Sequence, residues 1–132
     1  MKLRLILEGV FPYKKIGNLK WSFTDSTDRE LVVELQEKHI ETDYYELETF
    51  YAKGPRYSNI KTKPEDLGNR GLTIEKIFKD EIIPMLQSEI KELKIFPVDN
   101  KRAEFFKKMI IKFKNDYEIV EIDNYSISIK GK

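Results

Sequence analysis

The chain has no cysteine and a single histidine, His39. Without a thiol there is no disulfide, no thiolate metal site and no cysteine nucleophile. One histidine excludes a His-rich metal cluster and a multi-histidine relay, and His39 itself reads as a solvated residue near a strand end. No G-x-S-x-G elbow surrounds any serine, so a serine nucleophile has no support either. No apolar run approaches the length that spans a bilayer, and we expect no membrane partner. The opening MKLRLILEGVF has a basic flank and a short apolar run, but Glu8 follows at once and no small-residue cleavage site is visible. A first strand is the expectation there, not a signal peptide, and the expected compartment is cytoplasmic.

What is present suits one domain: 132 residues can fill a single core but not two. A charged fraction of 36% with a net charge of only +1 gives a heavily charged surface without a dominant sign, so no nucleic-acid partner is expected. Two-residue alternation predicts a strand over Lys2 to Val10 and another through Leu19, Trp21 and Phe23. Arg29 to Ile40 carries two signals. Thr27-Asp28-Arg29-Glu30 has the form of a helix capping box, whereas Leu31, Val33 and Leu35 alternate with Val32, Glu34 and Gln36; both readings stay open, with β-branched Val32-Val33 favouring strand. Glu41 to Asp43 then makes a turn, Tyr44 to Lys53 an aromatic strand, and Arg56 to Thr62 a strand pairing back on it.

From Pro64 the pattern changes. Pro64 to Gly71 reads as a loop with glycines at Gly68 and Gly71, followed by helical spacing of Ile74, Ile77, Phe78, Ile82, Met85 and Leu86. Pro84 removes an N–H and crowds the carbonyl of Asp80, which predicts a kink. Leu93 to Val98 is a buried strand. Asn100, as N-cap, opens a helix to about Lys114 that buries Ala103, Phe106, Met109, Ile110 and Phe113 and turns Lys101, Arg102, Lys107 and Lys108 outward. Tyr117 to Ile122 and Tyr125 to Ile129 form a hairpin joined by a two-residue turn at Asp123-Asn124.

The run from Pro64-Glu65 through the Gly-Asn-Arg-Gly-Leu-Thr loop, helix, strand and Asp99-Asn100-Lys101-Arg102-Ala103 resembles the GNAT family of acetyl-CoA-dependent N-acetyltransferases over roughly a third of the chain. The resemblance implies a GNAT-like α+β fold, with a mixed, mostly antiparallel sheet flanked by helices, and acetyl-CoA as cofactor. It implies that Gly68, Asn69, Arg70, Gly71, Leu72 and Thr73 hold the coenzyme pyrophosphate, that Thr62 and Asn100 border the coenzyme site, and that strands splayed near Thr62 and Lys94 admit the pantetheine arm. Glu46 and Glu48, alternating along the aromatic strand, are the candidates for accepting the proton of a small-molecule or protein amine. The chain departs from the family pattern at Gly68, where the family has Arg or Gln, at Thr73, where it has Gly or Ala, and at Phe106 or Lys107, where many members carry an acidic Tyr. Those departures leave a second reading: a GNAT-like scaffold without turnover that binds a partner protein as a regulator or inhibitor.

Overall fold

Among the described residues the alternating segments become strands and the periodic ones helices, with the largest change between residues 64 and 71. The computed structural model describes residues 10–25, 28–52 and 64–132, giving for 64–69 the backbone alone. Its strands are β1 (Tyr13–Gly17), β2 (Lys20–Thr24), β3 (Glu30–Lys38), β4 (Tyr44–Tyr51), β5 (Glu92–Ile95), β6 (Glu118–Ile122) and β7 (Ile127–Lys130). The helices are α1 (Pro64–Ile77), α2 (Ile83–Leu86) and α3 (Asn100–Lys112), with a π-helical turn at Phe78–Ile82 and a 3-10 turn at Lys114–Asp116. The protein is α+β, and its described residues form a mixed seven-stranded sheet in the order β1-β2-β3-β4-β5-β7-β6. Among the described pairings only β4 with β5 is parallel. Residues gather into two compact units, Met1–Glu34 with Thr49–Ile77 and Leu35–Glu48 with Phe78–Lys132, and β3 and β4 each thread both. Among the described residues no helix is long and apolar enough to cross a membrane.

In the first unit, β1 and β2 form a hairpin whose register closes at Gly17 opposite Lys20. β1 has no counterpart in the sequence reading, because Lys14 and Lys15 break the apolar alternation; exposed lysines are what an edge strand carries to discourage further pairing. Thr24 pairs with Glu30, so Asp25 to Arg29 is the loop that turns β2 into β3. The strand reading of Arg29 to Ile40 is the one realised. Asp28, in the would-be capping box, instead sits in the loop at φ 64. Trp21, Phe23, Leu31 and Val33 are buried as the alternation requires, and Val32 is buried as well, so β3 is covered on both faces. The expected strands over Lys2 to Val10 and Arg56 to Thr62 lie outside the described residues, apart from Val10.

The expected loop from Pro64 to Gly71 is helix throughout. Proline is tolerated in a first turn, where its missing N–H has no partner to lose. Inward positions at three- and four-residue spacing, Arg70, Gly71, Ile74 and Ile77, are buried. Packing along that stripe offsets the roughly 1 kcal/mol that each interior glycine costs a helix.

In the second unit, the kink expected from Pro84 takes the form of the π turn that immediately precedes α2 and contains Asp80. Widening the helix by one residue frees the backbone around a proline that cannot donate, and Phe78 and Ile82 still reach the core from it. The Phe78 ring lies edge-on to Tyr117 at 6.0 Å and tilted against Phe113 at 6.1 Å. α3 buries Ala103, Phe106, Met109 and Ile110 as read, but its N-cap is Asp99, not Asn100. Asp99 Oδ1 accepts the Arg102 N–H at 2.8 Å and Oδ2 accepts Arg102 Nη1 at 2.5 Å. Arg102, expected outside, is therefore folded back and 5% exposed. The hairpin also differs from expectation. Ile122 pairs with Ile127, so Asp123 to Ser126 is the turn, and the Asp123 carboxylate accepts the N–H groups of Tyr125 and Ser126. A short acceptor side chain replaces the positive φ that a two-residue turn would require.

Because Asp99 both caps α3 and pairs with a buried guanidinium, Asp99→Ala should lower the unfolding free energy by about 1–2 kcal/mol in urea denaturation. Asp99→Asn, which keeps an acceptor for the Arg102 N–H, should cost less.

Candidate functional site

The expected coenzyme residues, apart from Asn100, belong to the first unit and the expected catalytic carboxylates to the second. Thr62 lies outside the described residues. Gly68, Asn69, Arg70, Gly71, Leu72 and Thr73 are successive residues inside α1. Beyond the first turn of an α-helix each backbone N–H bonds the carbonyl four residues back, so these amides serve the helix itself. Leu72 faces outward at 44% exposure. Thr73 faces inward, fully buried, and its hydroxyl accepts the Phe11 N–H at 2.8 Å.

Arg70 also turns inward. Its Nε and Nη2 both donate to Asp25 Oδ2 at 2.5 Å, with the two side chains only 3% and 2% exposed. The other oxygen of Asp25 accepts the Arg29 N–H at 3.1 Å, and the Asp25 N–H donates to the Arg29 carbonyl at 2.9 Å. One carboxylate thus closes the β2–β3 loop and holds α1. Tyr51, at the end of β4, completes the cluster. The Arg29 guanidinium lies 3.6 Å from its ring centroid and the Arg70 guanidinium 5.3 Å, placing two cations against one aromatic ring.

In the second unit β4 and β5 pair at only two positions, Tyr45 with Leu93 and Glu46 with Lys94. Beyond Glu46 the parallel ladder stops, while β4 continues to Tyr51. Glu46 is half-buried, and three effects raise its pKa above the usual carboxylate value: burial first, then the charge of Glu48, then a hydrogen bond with Glu48, with Lys38 acting in the opposite direction. The two candidate carboxylates therefore stand together, one biased to keep its proton and share it with the other. Lys94, opposite Glu46, places its ammonium 4.8 Å from the Tyr44 ring centroid, and Phe96 meets the same ring edge-on at 6.5 Å. Sequence reasoning did not place Lys94 and Phe96 beside β4, because a parallel pairing joins segments with a whole helix between them.

Asn100 is exposed in the first turn of α3. At the positions aligned with the family's acidic tyrosine, Phe106 is buried and Lys107 Nζ donates to Asn124 Oδ1 at 2.6 Å. Tyr117 is no substitute acid: burial pushes its phenol well above the ordinary value, and the hydroxyl donates to the Ile110 carbonyl at 2.6 Å. Among the described residues no group of three or more His, Asp or Glu side chains could hold a metal ion.

Two outcomes follow from this geometry. Arg70→Met leaves the Asp25 carboxylate buried without its counter-charge and should cost about 3–5 kcal/mol, whereas Arg70→Met with Asp25→Asn should cost less than Arg70→Met alone; a double-mutant cycle in denaturant measures both. For Glu46, a folded-state pKa above the unfolded one means a contribution fully present below the unfolded carboxylate pKa and lost as pH rises through the folded value. Glu46→Gln, which mimics the protonated form, should therefore melt higher than the parent at pH 7 to 8 and at the same temperature near pH 4, read by calorimetry.

Comparison of the chain with protein-family models, with curated proteins and with solved structures found no match.

Proposed function

We propose that the chain is a GNAT-like scaffold that binds a partner protein and does not transfer an acetyl group. The observation that carries this reading is the fate of Gly68 to Thr73. These residues lie within α1, their amides serve the helical ladder, and the side chains of Arg70 and Thr73 are spent on Asp25 and on the Phe11 N–H. A pyrophosphate cradle needs unsatisfied amides at a helix start and a backbone that can be approached closely. The likeness to the family's scaffold is supported by the succession of helix, β5, α3 and a terminal antiparallel hairpin, and by a parallel β4–β5 pair whose contact ends after two residues.

A second reading, an amine N-acetyltransferase, has one specific observation in its favour. The half-buried Glu46 stands where the ladder between β4 and β5 ends, with its proton affinity raised, as suits a group that accepts an amine proton near neutral pH. Acetyl-CoA separates the two. A ligand that binds only the folded state must raise apparent stability, so the scaffold reading expects no thermal shift and no saturable heat up to about 1 mM acetyl-CoA. Saturation below that concentration, with release of free coenzyme thiol in the presence of an amine, would overturn it. Glu46→Gln should then slow thiol release by about 10²–10⁴-fold.

A further inference from the structure

His39 plays no part in either reading, yet its surroundings are specific. Its Nδ1 lies 2.7 Å from Asp43 Oδ1 and its Nε2 3.2 Å from Glu37 Oε1, so both ring nitrogens face carboxylates. A neutral imidazole has one N–H and one lone pair and can serve only one of these partners; the other carboxylate then meets a lone pair. Only the imidazolium donates to both. The residues it spans form the connection from β3 to β4, which reverses tightly: Glu41 sits at φ 64 and the Thr42 N–H donates to the Ile40 carbonyl at 2.6 Å. A residue without glycine's freedom at positive φ is strained, so the connection needs holding from outside its own backbone.

We propose that His39 is a pH-operated clasp on the β3–β4 connection. The imidazolium ties Asp43 to Glu37 across the turn, and loss of its proton leaves the ring able to hold only one of the two, which breaks the tie. Asp43 also lines an open cavity of about 520 Å³ together with Glu89, Lys91, Glu92, Lys130 and Lys132, so the clasp borders a charged surface. Among the described residues, Glu37 on β3 and Asp43 before β4 are the charged groups that face the ring; Lys38 and Glu41 are its charged neighbours in the chain. The Asp43 hydrogen bond, and then the charges of Asp43 and Glu37, raise the His39 pKa above 6.5. The sign follows: the clasp contributes fully below the unfolded histidine value and is lost as pH rises through the folded one.

The test is a pH titration of the full chain by NMR, following the His39 ring and the backbone amides of residues 40–43. The imidazole midpoint should lie above 6.5 and fall in both Glu37→Gln and Asp43→Asn. Exchange protection of the Thr42 and Asp43 amides, corrected for intrinsic rates, should drop about twofold across that midpoint, the scale an exposed ion pair supports. That drop should be absent in His39→Gln. A midpoint at or below 6.5, a midpoint that responds to only one carboxylate, or a protection change that survives in His39→Gln would each overturn the clasp. The site is exposed, so these variants should fold, and the circular dichroism spectrum of each verifies it.

Discussion

The first unit depends on a buried ion pair. Asp25 and Arg70 are separated by 45 positions in the chain, and their contact brings α1 to the loop between β2 and β3. Removing two charges from water is expensive, and the attraction between them repays that only when the remaining hydrogen-bonding capacity is also used. Here it is used. The second oxygen of Asp25 orders the loop backbone at Arg29, and Tyr51 offers its ring to both guanidinium groups. The pair therefore sets three things together: the turn at Asp25, the rotation of α1 about its own axis and the end of β4. The same rotation buries Thr73 beside Arg70.

The second unit is organised by a different constraint, the short parallel contact of β4 with β5. A parallel pair requires a crossover connection, and a contact of only two residues leaves the remainder of β4 without β5 as neighbour. Polar groups at such a boundary are half in water and half out, which is where a carboxylate changes its proton affinity without being fully buried. Glu46 shows this in the direction of its shift, and the charge of Lys38 opposes that shift.

Local sequence governed much of this architecture. Two-residue alternation marked β2, β3, β4 and the final hairpin; three- and four-residue spacing marked the buried faces of α1 and α3; and Pro84 marked the place where the helix departs from α geometry. These signals are legible because they depend on a residue's own geometry and its nearest neighbours. Two of the errors were local as well. Asp99 and Asn100 are both good caps, and only the position of Arg102 chose between them. Asp123-Asn124 allows a two-residue turn, but the Ile122–Ile127 register demanded a longer one.

The sequence by itself determined the α+β class, the run of strands before the helices and the exclusion of cysteine and polyhistidine chemistry, since these follow from composition and periodicity. Only the tertiary structure decided that Pro64 to Gly71 is helix, that Arg70 faces a carboxylate rather than an outside anion, and that Glu46 has Lys94 as its opposite number. A glycine-containing stretch has nearly balanced loop and helix energies, a difference of roughly 1 kcal/mol per glycine, which a buried stripe and an ion pair 45 positions away can reverse. Partners so far apart in the chain leave no periodic trace, so their choice becomes visible only once the chain has folded.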